Sequence, residues 1–285
     1  MKNMSKVIKK GFVLLACAFM LLCGSLIPAL TVSASAEETS SDRYYDEYPI
    51  STYAVDSVTV NYTTRTNELK TTVNGAPDYY ANTNLTNSCG PTAGGIIVGF
   101  YDKYLEDLIP NYRVYYPANG RYRIKDDVYI PAVMQELYTL MRTNVDDVGV
   151  SEADCKNGLK TYVEQKGYNI NYSSVKNVWG TFQLESVKNA IDNNKPVLLF
   201  CDEVGLISVS EADHYDKIVT LSVQNRHVMV AYGYSIIKYY NGNNQNFRTD
   251  TYLIVSSGLM TPSTAYVQVN TTSWLDNGYI VSITG

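Results

Sequence analysis

Cys89 stands at the head of an apolar pattern, in the stretch "NSCGPTAGGIIVGFYDKY" over residues 87–104. A thiol at a helix N-terminus faces unpaired backbone N–H groups and the positive end of the helix dipole. Both favour thiolate over thiol, and the thiolate is the nucleophile. Gly90 lets a substrate backbone approach closely. A buried structural cysteine at a helix start is the other reading of the same residues. A cysteine nucleophile needs a base, and the chain holds only two histidines. His214 lies in the acidic stretch "SEADHYDK", which reads as an exposed loop. His227 lies in "NRHVMVAYGYS", where a strongly apolar strand begins. A helix-capping cysteine paired with a histidine at a strand edge is a constellation for nucleophilic catalysis.

The order of "CGPTAGGIIVGFYDKY", then "KPVLLF", then "HVMVAYGYS" resembles the papain-like fold. More narrowly it resembles the bacterial peptidases of the bacteriocin leader-processing, double-glycine peptidase-like (C39-like) group. The resemblance covers roughly residues 77–285. It implies a nucleophile at Cys89 and a general base at His227, acting on peptide bonds.

In that group an Asn or Asp on the strand after the histidine strand orients the imidazole. A hairpin turn centred near Asn243–Asn244 places the partner of His227 near residue 260, at the end of "YLIVSSGLM". Ser257 matches the family position best, with Ser256 and Asn270 as alternatives. A serine hydroxyl accepts a hydrogen bond but carries no charge, so this is a departure from the family pattern. Papain-like enzymes also add a Gln side chain to the oxyanion hole six residues before the cysteine. Thr83 stands there, flanked by Asn82 and Asn84, and either amide could replace it. The Cys89 backbone N–H supplies the other donor.

Helical spacing must position the cysteine. Ala93, Ile96, Ile97, Phe100, Tyr101, Tyr104, Leu105 and Leu108 recur at i, i+3, i+4, with Pro91 in the first turn and Pro110 beyond the end. Further helices are predicted over 130–141, from Ser151 to about Lys166, and over 183–193. Strands are predicted over 197–200, 217–224, 227–237, 247–255, 265–269 and 279–283. Helices first and antiparallel strands second make an α+β fold, papain-like by resemblance, with the cysteine helix packed on a C-terminal antiparallel sheet.

The first 36 residues read as a secretory signal. Four lysines precede a nearly continuous apolar run, and Ala34-Ser35-Ala36 is a small-x-small cleavage site. Cleavage after Ala36 leaves 249 residues with 19 basic and 28 acidic side chains, a net charge of −9. The expected product is secreted, extracellular or cell-wall associated, without stable membrane insertion. Residues 37–75 read as a polar extension or short prosegment in which only 53–62 is strand-like, and 76–285 as the peptidase-like domain. So acidic a chain is ill suited to neutralising nucleic-acid phosphates. Cys89, Cys155 and Cys201 remain after cleavage. An odd count leaves at least one thiol unpaired, while Cys155 and Cys201 could pair.

Other chemistries lack their residues. There is no G-x-S-x-G elbow, no H-E-x-x-H, no Cys-x-x-Cys and no phosphate-binding glycine loop. Neither a metal nor another cofactor is expected. The sequence therefore points to a secreted cysteine peptidase acting on a peptide or protein. A non-catalytic peptide-binding module and a hydrolase of peptidoglycan peptides are the alternatives.

Overall fold

A computed structural model describes residues 44–45, 53–73, 75–81, 84–105, 107–110, 129–145, 148–223 and 225–285. The expected signal segment and Asn82 lie outside the described residues. In chain order the elements are β1 (Tyr44–Tyr45), β2 (Tyr53–Asn61), β3 (Thr64–Thr71), α1 (Cys89–Asp102), α2 (Tyr129–Leu140), β4 (Val150–Ser151), α3 (Glu152–Gln165), β5 (Asn169–Ser174) and α4 (Leu184–Asp192). Seven strands follow: β6 (Val197–Cys201), β7 (Val204–Ala212), β8 (Tyr215–Val223), β9 (His227–Tyr240), β10 (Asn246–Ser256), β11 (Thr264–Gln268) and β12 (Leu275–Thr284). The α+β fold read from the sequence is observed, but the order is not simply helices then strands: β1–β3 precede α1, and β4 and β5 lie among the helices.

The main sheet runs β2-β8-β7-β11-β10-β9-β6-β12-β5, all pairs antiparallel. On one side of β9 lies β10; on the other, β6 pairs its first residues and β3 its last. The core sits on both faces of the sheet. Leu198, Phe200, Val228 and Val230 join the cluster built by α1, α2 and α3. Val197, Leu199, Met229 and Ala231 join a second cluster with α4 and Trp274. Burial on both faces explains why β6 and β9 read as continuous apolar runs rather than alternating ones.

Helix α1 is central, and every residue from Cys89 to Tyr101 is buried. It packs against α2, α3 and β9. Its small residues permit this: a β-carbon on Gly94 would lie 2.7 Å from the Met141 side chain, and one on Gly90 would lie 2.5 Å from Val150 Cγ1. The helix stops at Asp102, earlier than the spacing through Leu108 predicts. There the Asp102 carboxylate accepts the Ile109 N–H at 2.6 Å, and Asp107 takes a left-handed φ of 66°, so the chain folds back. Helix α3 opens as expected, the Ser151 hydroxyl accepting the Asp154 N–H at 3.0 Å. The β9–β10 turn is closed by Asn241, whose side-chain oxygen accepts from the N–H groups of Asn243 and Gln245.

The expected polar extension differs from what is observed. Strand β2 pairs with β8 and β3 pairs with β9, so residues 53–71 belong to the sheet. A buried ionic anchor holds them there. Asp216 is fully buried and meets Arg65 Nη1 at 2.7 Å, the Tyr62 hydroxyl at 3.2 Å and the Tyr239 hydroxyl at 2.9 Å. Among the described residues no helix is long and apolar enough to cross a membrane.

Candidate active site

Cys89 is the first residue of α1 and His227 the first of β9. Both are 1 % exposed. Cys89 shares its buried cluster with Val228, the neighbour of His227. The segment after β10 closes the arrangement. A β-carbon on Gly258 would lie 3.3 Å from Thr92 Cγ2, in the first turn of α1, and the preceding residue holds His227.

His227 Nε2 lies 2.6 Å from the Ser257 backbone oxygen. A carbonyl only accepts, so Nε2 carries the proton. In the neutral ring Nδ1 then holds the lone pair. Nδ1 is buried and has no hydrogen-bond partner. Burial lowers the affinity of the imidazole for a second proton, and the Ser257 carbonyl offsets part of that effect. His227 is thus a neutral base with one fixed nitrogen and one available nitrogen.

Ser257 meets the histidine as expected, but through a different atom. Its hydroxyl donates to the Pro262 carbonyl at 2.5 Å and accepts the Leu259 N–H at 3.0 Å, which occupies it in the turn. The alternatives are committed elsewhere. Ser256 Oγ donates to the Pro77 carbonyl at 2.7 Å, and Asn270 bridges Thr251 N–H and the Thr249 carbonyl on the far side of β10.

Asn84 is exposed, in contrast to the buried Cys89. A nearer amide is Asn87, two residues before the cysteine. It is 3 % exposed and takes a left-handed φ of 56°. Its Nδ2 donates to Asn144 Oδ1 at 2.6 Å, while its Oδ1 is buried without a partner. Turning over both amides together exchanges that orphan acceptor for a donor and lets Asn144 Nδ2 donate to Asn87 Oδ1. Asn87 is visible in "NSCG" as the amide two residues before the cysteine, whereas the family spacing of six residues points to Thr83.

His214 occupies an exposed turn with φ of 61°, 3.5 Å from exposed Asp213, as its acidic surroundings predict. Cys89, Cys155 and Cys201 form no disulfide. Cys155 lies close to Gly90 in α1, and Cys201 lies opposite His227 in β6, so the two are held by different layers. Among the described residues no group of three or more His, Cys, Asp or Glu side chains could hold a metal ion.

A central helix headed by cysteine, packed on an antiparallel sheet whose long strand begins with histidine, defines the papain-like cysteine peptidase class. The chain belongs to the Peptidase_C39 like family, whose model matches residues 59–272. That match begins inside β2, in keeping with the place of this strand in the sheet. No curated protein and no solved structure matches the chain significantly.

Proposed function

We propose that the protein is a secreted cysteine peptidase in which Cys89 is the nucleophile and His227 the general base. The observation that carries this reading is the fixed tautomer of His227, whose unpartnered Nδ1 belongs to the residue that the family places beside the cysteine. His227 Nδ1 takes the Cys89 proton as Sγ attacks the peptide carbonyl carbon and a C–S bond forms. The negative charge on the carbonyl oxygen is met by the Cys89 backbone N–H and the turned amide of Asn87. Collapse breaks the C–N bond, and the imidazolium returns its proton to the leaving amine. Water, deprotonated by His227, then attacks the thioester and releases the acid. The Ser257 carbonyl keeps the ring oriented throughout.

The apolar run and small-x-small site before Glu37 support export, and the acidic composition supports a peptide rather than a nucleic acid as partner. A proteomic cleavage screen comparing the wild-type chain with Cys89→Ala tests the reading. Cleavages lost in the variant are expected; identical peptide profiles reject it. The second reading is a peptide-binding module without turnover, favoured by an uncharged carbonyl where the family has Asn or Asp. Peptide binding by the wild type without any cleavage would establish that alternative.

A further inference from the structure

Residues 44–45 form a two-residue strand, β1, that pairs antiparallel with β4: Tyr44 opposite Ser151 and Tyr45 opposite Val150. These four residues make a sheet separate from the main one. Tyr45 is only 1 % exposed, although its neighbours Asp42, Arg43, Asp46 and Glu47 are charged. Its ring centre lies 5.1 Å from that of Phe200, and its hydroxyl donates to Asp276 Oδ2 at 3.2 Å.

The position of these contacts is specific. Val150 packs on Gly90, the residue after Cys89. Phe200 pairs with Val228, the residue after His227. Tyr45 therefore lies against the two residues that touch the immediate neighbours of the nucleophile and of the base. Main-chain pairing along an edge with one side chain set in a pocket is how proteins hold an extended peptide by strand addition.

We propose that the cleft formed by β4, Phe200 and Asp276 is a subsite for an extended peptide bearing a tyrosine, and that residues 44–45 occupy it as a tethered competitor. Phe200 supplies the apolar wall for the ring. The half-buried Asp276 carboxylate, which also faces Arg226 Nε at 3.8 Å, favours tyrosine over phenylalanine by accepting the phenol hydrogen bond. Calling the ligand a substrate rests on the peptidase reading; the cleft and its occupant do not.

The test uses binding, in the signal-free chain carrying Cys89→Ala, so that no turnover intervenes. The probe is a fluorescein-labelled peptide Asp-Arg-Tyr-Tyr-Asp, the sequence of residues 42–46. Tyr45→Ser in that background should vacate the cleft and tighten binding at least about tenfold, since an occupied site reduces apparent affinity by its open fraction. A probe with serine for its second tyrosine should lose that gain. Unchanged binding after Tyr45→Ser overturns the proposal. If that variant does not fold, Tyr45→Phe keeps the ring and loses only the bond to Asp276; a gain of about threefold is expected from partial opening of the site, and no gain overturns the proposal. Failure of the wild type to cleave peptides would reject the peptidase reading while leaving these binding results intact.

Discussion

His227 donates through Nε2 to the main-chain oxygen of Ser257, 2.6 Å away, while the Ser257 hydroxyl faces Pro262 and Leu259. Ser257→Ala should therefore keep kcat/KM within a few-fold, because alanine has the same carbonyl. It should lower stability by about 1–2 kcal/mol through the two lost turn bonds. Thermal unfolding and steady-state kinetics on one preparation separate these effects. A loss of about a hundredfold or more in kcat with an unchanged melting temperature would place the hydroxyl in the chemistry instead.

The thiols of Cys89, Cys155 and Cys201 differ in surroundings. Burial pushes the Cys155 thiol up to about 12 and the Cys201 thiol well above its ordinary value, so neither forms thiolate near neutral pH. In the chain prepared without residues 1–36, a substrate-like alkylating probe should modify one cysteine per native molecule and three after denaturation. Peptide mapping should find Cys89 in the native sample. Native labelling at Cys155 or Cys201 would contradict this ordering.

Asn87→Ala should lower kcat by about 10²-fold with little change in KM, as expected for a donor that acts mainly on the developing oxyanion. Asn84→Ala, at an exposed position, should leave kcat unchanged. Equal kinetics for the two variants would remove Asn87 from the site.

The lowered proton affinity of buried His227 has a definite sign in stability. The unfolded chain takes up the proton at the ordinary histidine value, about 6.5, before the folded chain does. Its contribution is therefore complete above that value and is lost as pH falls from there toward the lower folded value. His227→Gln should flatten the acid limb of a stability–pH curve measured by urea unfolding. If His227 is the general base proposed above, the acid limb of kcat/KM for the wild-type chain should lie below pH 6.5, where the imidazole becomes protonated.

Asp216→Asn should cost about 3 kcal/mol, because it leaves Arg65 without its buried counter-charge and disturbs the bonds from Tyr62 and Tyr239. Hydrogen exchange should then quicken first in residues 53–71. Unchanged protection there would show that strand pairing alone holds this segment.

The sequence made the site legible where apolar spacing is strong. Helix α1 announces itself because Ile96, Ile97 and Phe100 are spaced for burial, and β9 and β10 because their turn carries Asn241. The family position at Ser257 was found from that hairpin, but no residue pattern can say whether a hydroxyl or a main-chain oxygen will face the imidazole. Strand β3 escaped notice because nearly all its side chains are exposed, and "TRTNELKT" has no buried face to give alternation. Its place depends on main-chain bonds to β9 and on Arg65 reaching Asp216, a residue about 150 positions away. Strand β7 was hidden differently: "VGLISVSEA" begins buried and ends in solvent, so its period fades along its length.

From Val230 to Tyr240 strand β9 has β10 on one side and β6 and then β3 on the other, whereas His227, Val228 and Met229 pair with β6 alone. Segments bonded on both sides open only with the whole molecule, whereas singly paired edges fray at little free energy. His227 stands just before this doubly paired stretch, tied to Cys201 of β6 by strand pairing and to the Ser257 carbonyl by its ring. Because that end is paired on one side only, the imidazole alignment should be lost before the fold as a whole on heating.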